Sequence, residues 1–304
     1  MLRRVSGLTV LAGFLCSSTL LAQEASDGPP VLEVTARDYE LQTPATEIPS
    51  GWTTVEVTNE GEETHELQFR RLPDGASYSD LTRYLGVIDT LGQDLKAGII
   101  DSAEALKALK RHRPAWFSEE KLVGGSGMLG PNRSATTTIH LEPGTYALLC
   151  AVRDSAGKSH VSRGMRRKMT VTAESSGATS PDPDVKMALA HYEMTTTGRM
   201  SAGEQTVAVH FGDRSDMLES PFQGVHLVRL EENTSVKEVV EWTVDYTTPA
   251  PADFMGGIIA MPPGNTAYLT VDLEPGRYLW VSNSTQERGM KRVFTVGEAS
   301  AHQR

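Results

Sequence analysis

The chain has 304 residues, of which 39% are apolar and 6% aromatic, and its formal net charge is −10. This length is sufficient for two domains of ordinary size, each with a hydrophobic core of its own. The acidic balance argues against a nucleic-acid-binding protein.

Residues 1–22 have the pattern of an export signal. Arg3 and Arg4 precede an apolar run from Leu8 to Leu21, which ends in small residues around Ala22. A run of about fourteen apolar residues is too short to span a bilayer comfortably. We therefore predict a periplasmic or secreted protein with no membrane span after removal of the signal; a retained N-terminal anchor is the alternative.

The cysteine content limits the possible roles of the remaining thiol. Removal of residues 1–22 takes away Cys16 and leaves Cys150 as the single thiol. One cysteine in an exported chain cannot form an internal disulfide. Cys150 is therefore buried and inert, paired with another chain, or chemically active.

Residues 30–173 are predicted to form a first, β-rich domain. Apolar side chains alternate with polar ones in several short runs, and the Asn59–Gly61 and Glu142–Gly144 segments supply turns between them. Short strands at this spacing favour a Greek-key sandwich or barrel. The alternating pairs include Leu32 with Val34, Val55 with Val57, and Leu67 with Phe69.

One segment of this domain, residues 78–113, has helical rather than strand periodicity. Leu81, Tyr84 and Leu85 recur at helical spacing, and Asp101 followed by Glu104 is typical of a helix start. We predict a helical insertion that covers one end of the first sandwich.

Residues 174–186, rich in Ser, Pro and Asp, are predicted to be a linker, and residues 187–298 a second copy of the first domain. Five pairs of matching segments occur in the same order in the two halves, which indicates a duplication. The clearest pairs are Leu141–Tyr146 with Leu273–Tyr278 and Arg163–Met165 with Arg288–Met290.

Three of the four candidate site residues lie near the end of the first domain. As a strand, Gly144–Cys150 directs Tyr146, Leu148 and Cys150 to one face. A polar hairpin follows. Two more candidates, His160 and Met165, come after it, and a third, His65, follows the Asn59–Gly61 turn far upstream.

This pattern resembles the cupredoxins, the blue-copper family of plastocyanin and azurin, in which a Gly-x-Tyr-x-x-x-Cys strand is followed by a loop, His, four residues and Met. The resemblance implies an all-β fold of two tandem Greek-key cupredoxin-like sandwiches. It also implies one mononuclear copper ion in the first domain, with His65, Cys150 and His160 as equatorial ligands and Met165 as the axial ligand. Two imidazoles and a thiolate suit both Cu(I) and Cu(II), and a weak axial thioether completes such sites.

Two departures from the family pattern stand out. Nine residues separate Cys150 from His160, a longer loop than the small electron carriers of the family usually have. In the second half, Ser282 stands in the position equivalent to Cys150, and no histidine follows it before Met290. We therefore expect no copper site in the second domain.

The resulting prediction is an exported copper protein that transfers single electrons and is not an enzyme. A metal-free cupredoxin-like binding module and a copper-trafficking protein are the alternatives. The segment Arg153–Lys168 contains six basic residues and one acid, so we expect it to dock an acidic redox partner; a merely solvated loop is the other interpretation.

Overall fold

The computed structural model describes residues 28–213, 224–282 and 290–298. The first half is built of eight strands, two long helices, one short helix and a 3₁₀ turn. In chain order these elements are β1 Val31–Arg37, β2 Glu40–Gln42, β3 Glu47–Asn59, β4 Gln68–Arg71, α1 Tyr78–Lys96, α2 Ser102–His112, the 3₁₀ turn Ala115–Glu119, β5 Lys121–Leu122, β6 Ser134–Leu141, β7 Gly144–Leu149, α3 His160–Arg163 and β8 Arg166–Ser175.

These strands form a sandwich whose two sheets share β3. In the first sheet, β3 pairs with β1 in parallel and with β6 antiparallel. The beginning of β3 also pairs with β8, which continues through β7 and β4 to β5 in the second sheet. Because successive strands cross between the sheets, the connections are those of a Greek-key sandwich.

The predicted helical insertion is confirmed, but its position differs from the expectation. α2 begins at a complete capping box formed by Asp101 and Glu104. The insertion covers the outer face of the second sheet rather than one end of the sandwich, because Leu72, Ala147 and Leu149 on that face are apolar and must be buried. They pack with Leu81 of α1 and Val161 in one hydrophobic cluster.

The second half repeats the first. Its elements are β9 Val185–Ala190, β10 Glu193–Thr197, β11 Gly203–Phe211, β12 Val225–Leu230, α4 Val236–Asp245, β13 Asp253–Ile258, β14 Thr266–Leu273, β15 Gly276–Ser282 and β16 Lys291–Val296. β9 pairs with β11 in parallel, as β1 does with β3, and β12 lies between β13 and β15. The predicted fold class, two tandem β-sandwiches with a helical insertion in the first, is confirmed. The observed connection between the halves is shorter than the predicted linker, since β8 ends at Ser175 and β9 begins at Val185.

The two halves join in two places. β14 pairs with β6, so the first sheets of both sandwiches form one continuous sheet. The glycine-rich segment 124–130 also bonds to both halves: the amide of Leu67 donates to Ser126, and the amide of Gly127 donates to Gly257. The largest hydrophobic cluster therefore contains core residues from both halves.

Among the described residues, no helix is both long and apolar enough to cross a membrane. The predicted signal, residues 1–22, lies outside the described residues.

Candidate metal centre

His65 is held by a buried asparagine. The Asn59 Nδ2 donates to the carbonyl oxygens of Glu63 and Leu129, at 2.8 and 2.9 Å, while its Oδ1 accepts from the amide of Gly61. Leu129 in turn exchanges two backbone hydrogen bonds with His65. The hydrogen bonds of the Asn59 side chain therefore hold the backbone segment that carries the His65 ring. His65 forms an isolated antiparallel bridge with Leu129, just ahead of β4.

Cys150 directly follows β7, and the loop after it returns to the same place. The amide of Cys150 donates to the carbonyl of Met165, while the amide of His160 donates to Val152 at 2.8 Å. The amide of Met165 donates to His160 at 2.9 Å. This short ladder ties the two ends of the loop together, so the long segment still brings His160 to Cys150. The Cys150 sulfur also accepts from the amide of Glu66 at 3.5 Å.

Three candidate ligand atoms converge. The Nδ1 atoms of His65 and His160 lie 3.1 Å apart, and the Cys150 Sγ lies 4.0 and 3.6 Å from them, respectively. A point in the plane of these three atoms lies about 2.1 Å from each, close to the lengths of metal–nitrogen and metal–sulfur bonds. The separations therefore fit one ion in a trigonal arrangement, which is the geometry of His₂Cys copper sites.

Met165, the fourth predicted ligand, is fully buried and belongs to the same core cluster as Cys150. Its backbone binds to Cys150 and His160, as described above. The structure therefore places the backbone of Met165 beside the two ligand candidates that flank the loop, and the axial role of its sulfur stays a prediction.

The protonation states of the three converging residues differ. Burial lowers the pKa of His65, and burial together with the neighbouring His65 ring lowers the pKa of His160 to about 4. Both rings are therefore neutral at pH 7, the state in which imidazole binds a metal. Burial, followed by the nearby Glu66 carboxyl, raises the pKa of the Cys150 thiol. Without a metal, Cys150 keeps its proton.

Each imidazole also has a carboxylate at its outer nitrogen. The Asp38 Oδ1 lies 3.1 Å from the Nε2 of His65, and the Glu63 Oε2 lies 2.8 Å from the Nε2 of His160. The second pair is close but lacks the angles of a hydrogen bond, and its two buried atoms have no other hydrogen-bond partner among the described residues. A carboxylate behind a histidine fixes the ring orientation and is a common companion of metal-bound imidazole. The residues present therefore fit a metal ion.

Asp38 and Glu63 were not predicted from the sequence. Asp38 lies 27 residues before His65 and reaches it through the turn between β1 and β2. Backbone hydrogen bonds from Glu62 and Glu63 outweigh the effect of burial and hold the pKa of Asp38 below its usual value. Gly61 leaves the space for this contact, because a Cβ there would lie 2.3 Å from Asp38 and 2.8 Å from the His65 ring.

Comparison with solved structures gives remote similarity to copper proteins. Auracyanin from Roseiflexus castenholzii is 21% identical with a TM-score of 0.30, and the match covers 48% of this chain and 98% of auracyanin. Auracyanin A of Chloroflexus aurantiacus, described as a "blue" copper protein, is 16% identical with a TM-score of 0.29, over 48% of this chain and 100% of that protein. The copper-containing nitrite reductase of Thermus scotoductus is 12% identical with a TM-score of 0.23, over 88% of this chain and 61% of the reductase.

The sequence matches no protein-family model and no curated protein. At these identities and TM-scores, the solved structures assign neither a family nor an activity to the chain. The inference of a metal therefore depends on the ligand geometry.

The equivalent place in the second half is arranged differently. His226 is fully buried there, but its Nδ1 accepts a hydrogen bond from the amide of Met128 at 3.1 Å. Burial lowers the pKa of His226 to about 3. Ser282 supplies a hydroxyl where the first half has a thiol, and its amide donates to the carbonyl of Met290 as that of Cys150 does to Met165. The second half thus keeps the backbone hydrogen bond found at Cys150, whereas the Nδ1 of His226 already accepts a hydrogen bond.

Proposed function

We propose that this chain is an exported protein that binds one copper ion in its first domain and transfers single electrons. The observation that carries the proposal is the triangle of two Nδ1 atoms and one Sγ, with a centre about 2.1 Å from each atom. Bound copper would supply one-electron chemistry between Cu(I) and Cu(II). No substrate-transforming activity is part of the proposal.

The surroundings of the three residues favour a fixed geometry. His65, Cys150 and His160 have no exposed surface, so water is kept away from the ligand atoms. Asp38 is within hydrogen-bond distance of the outer nitrogen of His65, and the Glu63 carboxylate lies 2.8 Å from the outer nitrogen of His160. Because packed side chains resist displacement, the ligands would move little between redox states, which favours rapid electron exchange.

Electron transfer requires a partner protein, and we assign its docking to the basic loop Arg153–Lys168. Two of the six basic residues are neutralised within the structure: Arg153 contacts Asp89, and Arg163 contacts Asp154. Four positive charges are left for an acidic partner, and such binding weakens as ionic strength rises.

Titration of the purified apo-protein with Cu(II) tests the proposal. We expect one equivalent to bind and to produce an intense visible thiolate-to-copper band. Cys150→Ser should abolish the band, whereas His210→Gln, which alters an exposed histidine of β11, should leave it unchanged. Absence of both bound copper and the band in the unmodified protein would exclude the proposed function.

A metal-free binding module is the second candidate. It is favoured by the second half, which keeps the sandwich although His226 and Ser282 do not provide the copper ligand set. In that case His160→Ala would leave partner binding intact, and the unmodified protein would bind copper no more tightly than the Cys150→Ser variant.

A further inference from the structure

The loop between Cys150 and His160 keeps a defined shape only if something holds it. Part of the support is internal: Arg153 and Ser159 form a bridge across its base. The Asp154 carboxylate accepts from the amides of Ala156 and Lys158, at 3.0 and 2.8 Å, which shapes the turn. These contacts organise the loop itself, but they do not attach its base to the sandwich.

Two elements support the loop from outside: the second half, which bonds to the backbone of Arg153, and the helical insertion, which also reaches Ser159 beside His160. Asp89 of α1 is 3% exposed, and its Oδ1 accepts from the backbone amide of Ser159 at 3.1 Å. The same oxygen accepts from the Nη1 of Arg153 at 2.9 Å. Asp89 therefore binds both strands at the base of the loop, and one of its two partners directly precedes His160.

The burial of the Asp89 carboxylate indicates that its contacts with the loop are needed. A carboxylate removed from water is costly unless charge and hydrogen bonds compensate it, and Arg153 together with the Ser159 amide supplies both. The Arg153 side chain also donates to the carbonyl of Gly157. Through Asp89, α1 is therefore hydrogen-bonded to both sides of the base of the loop, at Arg153 and at Ser159.

We propose that Asp89 is a positioning residue for His160, so that the helical insertion forms part of the metal centre. This inference rests on the proposed function, since it concerns the same site. A short loop can carry its histidine to the metal unaided; this long loop is braced from outside by α1. Asp89 acts through the Ser159 amide and the adjoining backbone, and it does not touch the metal ligands.

The test compares Asp89→Ala and Asp89→Asn with Asp94→Asn, a change on the same helix, in the full chain. In the apo-protein, NMR measures amide exchange at Ser159 and the ring-nitrogen shifts of His160. Asp89→Ala should accelerate Ser159 exchange by at least about tenfold, because a hydrogen bond to a charged group is lost, and it should displace the His160 ring signals. Asp89→Asn, which keeps an oxygen acceptor, should retain most of the protection.

With Cu(II), competition with a chelator measures affinity, and electron paramagnetic resonance reports the ligand geometry. Asp89→Ala should weaken Cu(II) binding by about 10- to 100-fold and change the copper hyperfine splitting, while Asp94→Asn should do neither. Asp89→Asn guards against a folding defect, because it preserves the size of the side chain. If it should match Asp89→Ala in every measurement, the positioning role would stand and the charge on Asp89 would be its decisive property.

The two proposals fail in different ways. If the unmodified protein binds no copper, the proposed function is lost, yet the apo-protein measurements still decide the role of Asp89. Unchanged Ser159 exchange and unchanged His160 signals in a folded Asp89→Ala protein would overturn the inference, even if copper binds normally to the unmodified chain.

Discussion

At the scale of single residues, the protonation of Cys150 would govern binding of the proposed copper ion. Burial raises the pKa of its thiol, whereas His65 and His160 are already neutral at pH 7. A metal binds the thiolate, so it must displace the proton.

We therefore predict that Cu(II) binding at pH 7 releases one proton, and that the affinity increases by about tenfold per pH unit below the thiol pKa. Calorimetry in two buffers of different ionisation enthalpy counts the proton. Cys150→Ser should release none. An unmodified protein that binds copper without releasing a proton would show that the thiol is not a ligand.

The residues of the site were accessible to sequence analysis to different degrees. Cys150 and His160 were predicted because a glycine, a tyrosine, a cysteine, a histidine and a methionine lie at characteristic separations along one stretch of chain. His65 was predicted because it follows an asparagine-containing turn. Asp38, Glu63 and Asp89 were not predicted. Each reaches the site through tertiary packing of segments that are distant in sequence. The sequence around a single acidic residue in a turn or helix does not show which side chain that residue will contact.

At the scale of elements, the glycine-rich segment 124–130 determines how closely the halves approach. A Cβ at Gly127 would lie 2.7 Å from the Cα of Gly257 and 2.8 Å from the Nδ1 of His226. The first of these neighbours is backbone, so it cannot swing aside as a flexible side chain would.

Gly127→Ala should therefore lower the free energy of unfolding by about 1–3 kcal/mol, the usual cost of overpacking a well-packed interior. Gly92→Ala is the matched control: no atom lies within 4 Å of its added methyl group, and it lies within α1. It should stabilise the protein by about 0.5–1 kcal/mol. Urea denaturation measures both changes, and equal effects of the two substitutions would contradict the close approach.

The helical insertion could be predicted from its capping residues and apolar periodicity. Its position on the sandwich could not, because that position depends on tertiary packing. The Asp101 cap and the Leu81 periodicity both mark the insertion. Its position over the outer face of the second sheet depends on Ala147 and Leu149. Their alternation with Tyr146 and Leu148 gives both faces of β7 apolar side chains but does not identify the element that covers the outer face. In α2 the buried residue is Ala105, whereas Leu106 is 57% exposed. The second-half helix α4 was not predicted.

At the scale of the whole molecule, the second half braces the first. The amide of Arg153, at the base of the loop, donates to the carbonyl of Tyr246, and the amide of Thr248 donates to Arg153. Arg133 and Asp253 form an ion pair between the halves. The duplication was predictable from repeated segments, but the pairing of β14 with β6 was not, since an edge-to-edge join leaves no periodic pattern in either strand.

The contact between His226 and the segment 124–130 gives the apo-protein a characteristic pH dependence. His226 lies between the halves, and burial lowers its pKa from 6.5 to about 3. Between these values the unfolded chain binds a proton that the folded chain does not bind, so stability is lost as the pH falls. The slope for this one group reaches about 1.4 kcal/mol per pH unit, and His160 contributes in the same direction between pH 6.5 and about 4.

We therefore predict that the free energy of unfolding, measured by urea denaturation from pH 7 to pH 4, decreases more per pH unit in the unmodified apo-protein than in His226→Gln. The substituted amide keeps an acceptor for the Met128 N–H but has no titratable group. His112→Gln, a change at an exposed site on α2, should leave the slope unaltered. If His226→Gln retained the full slope, the acid sensitivity would arise elsewhere, and His226 would not couple protonation to the junction on which both halves depend.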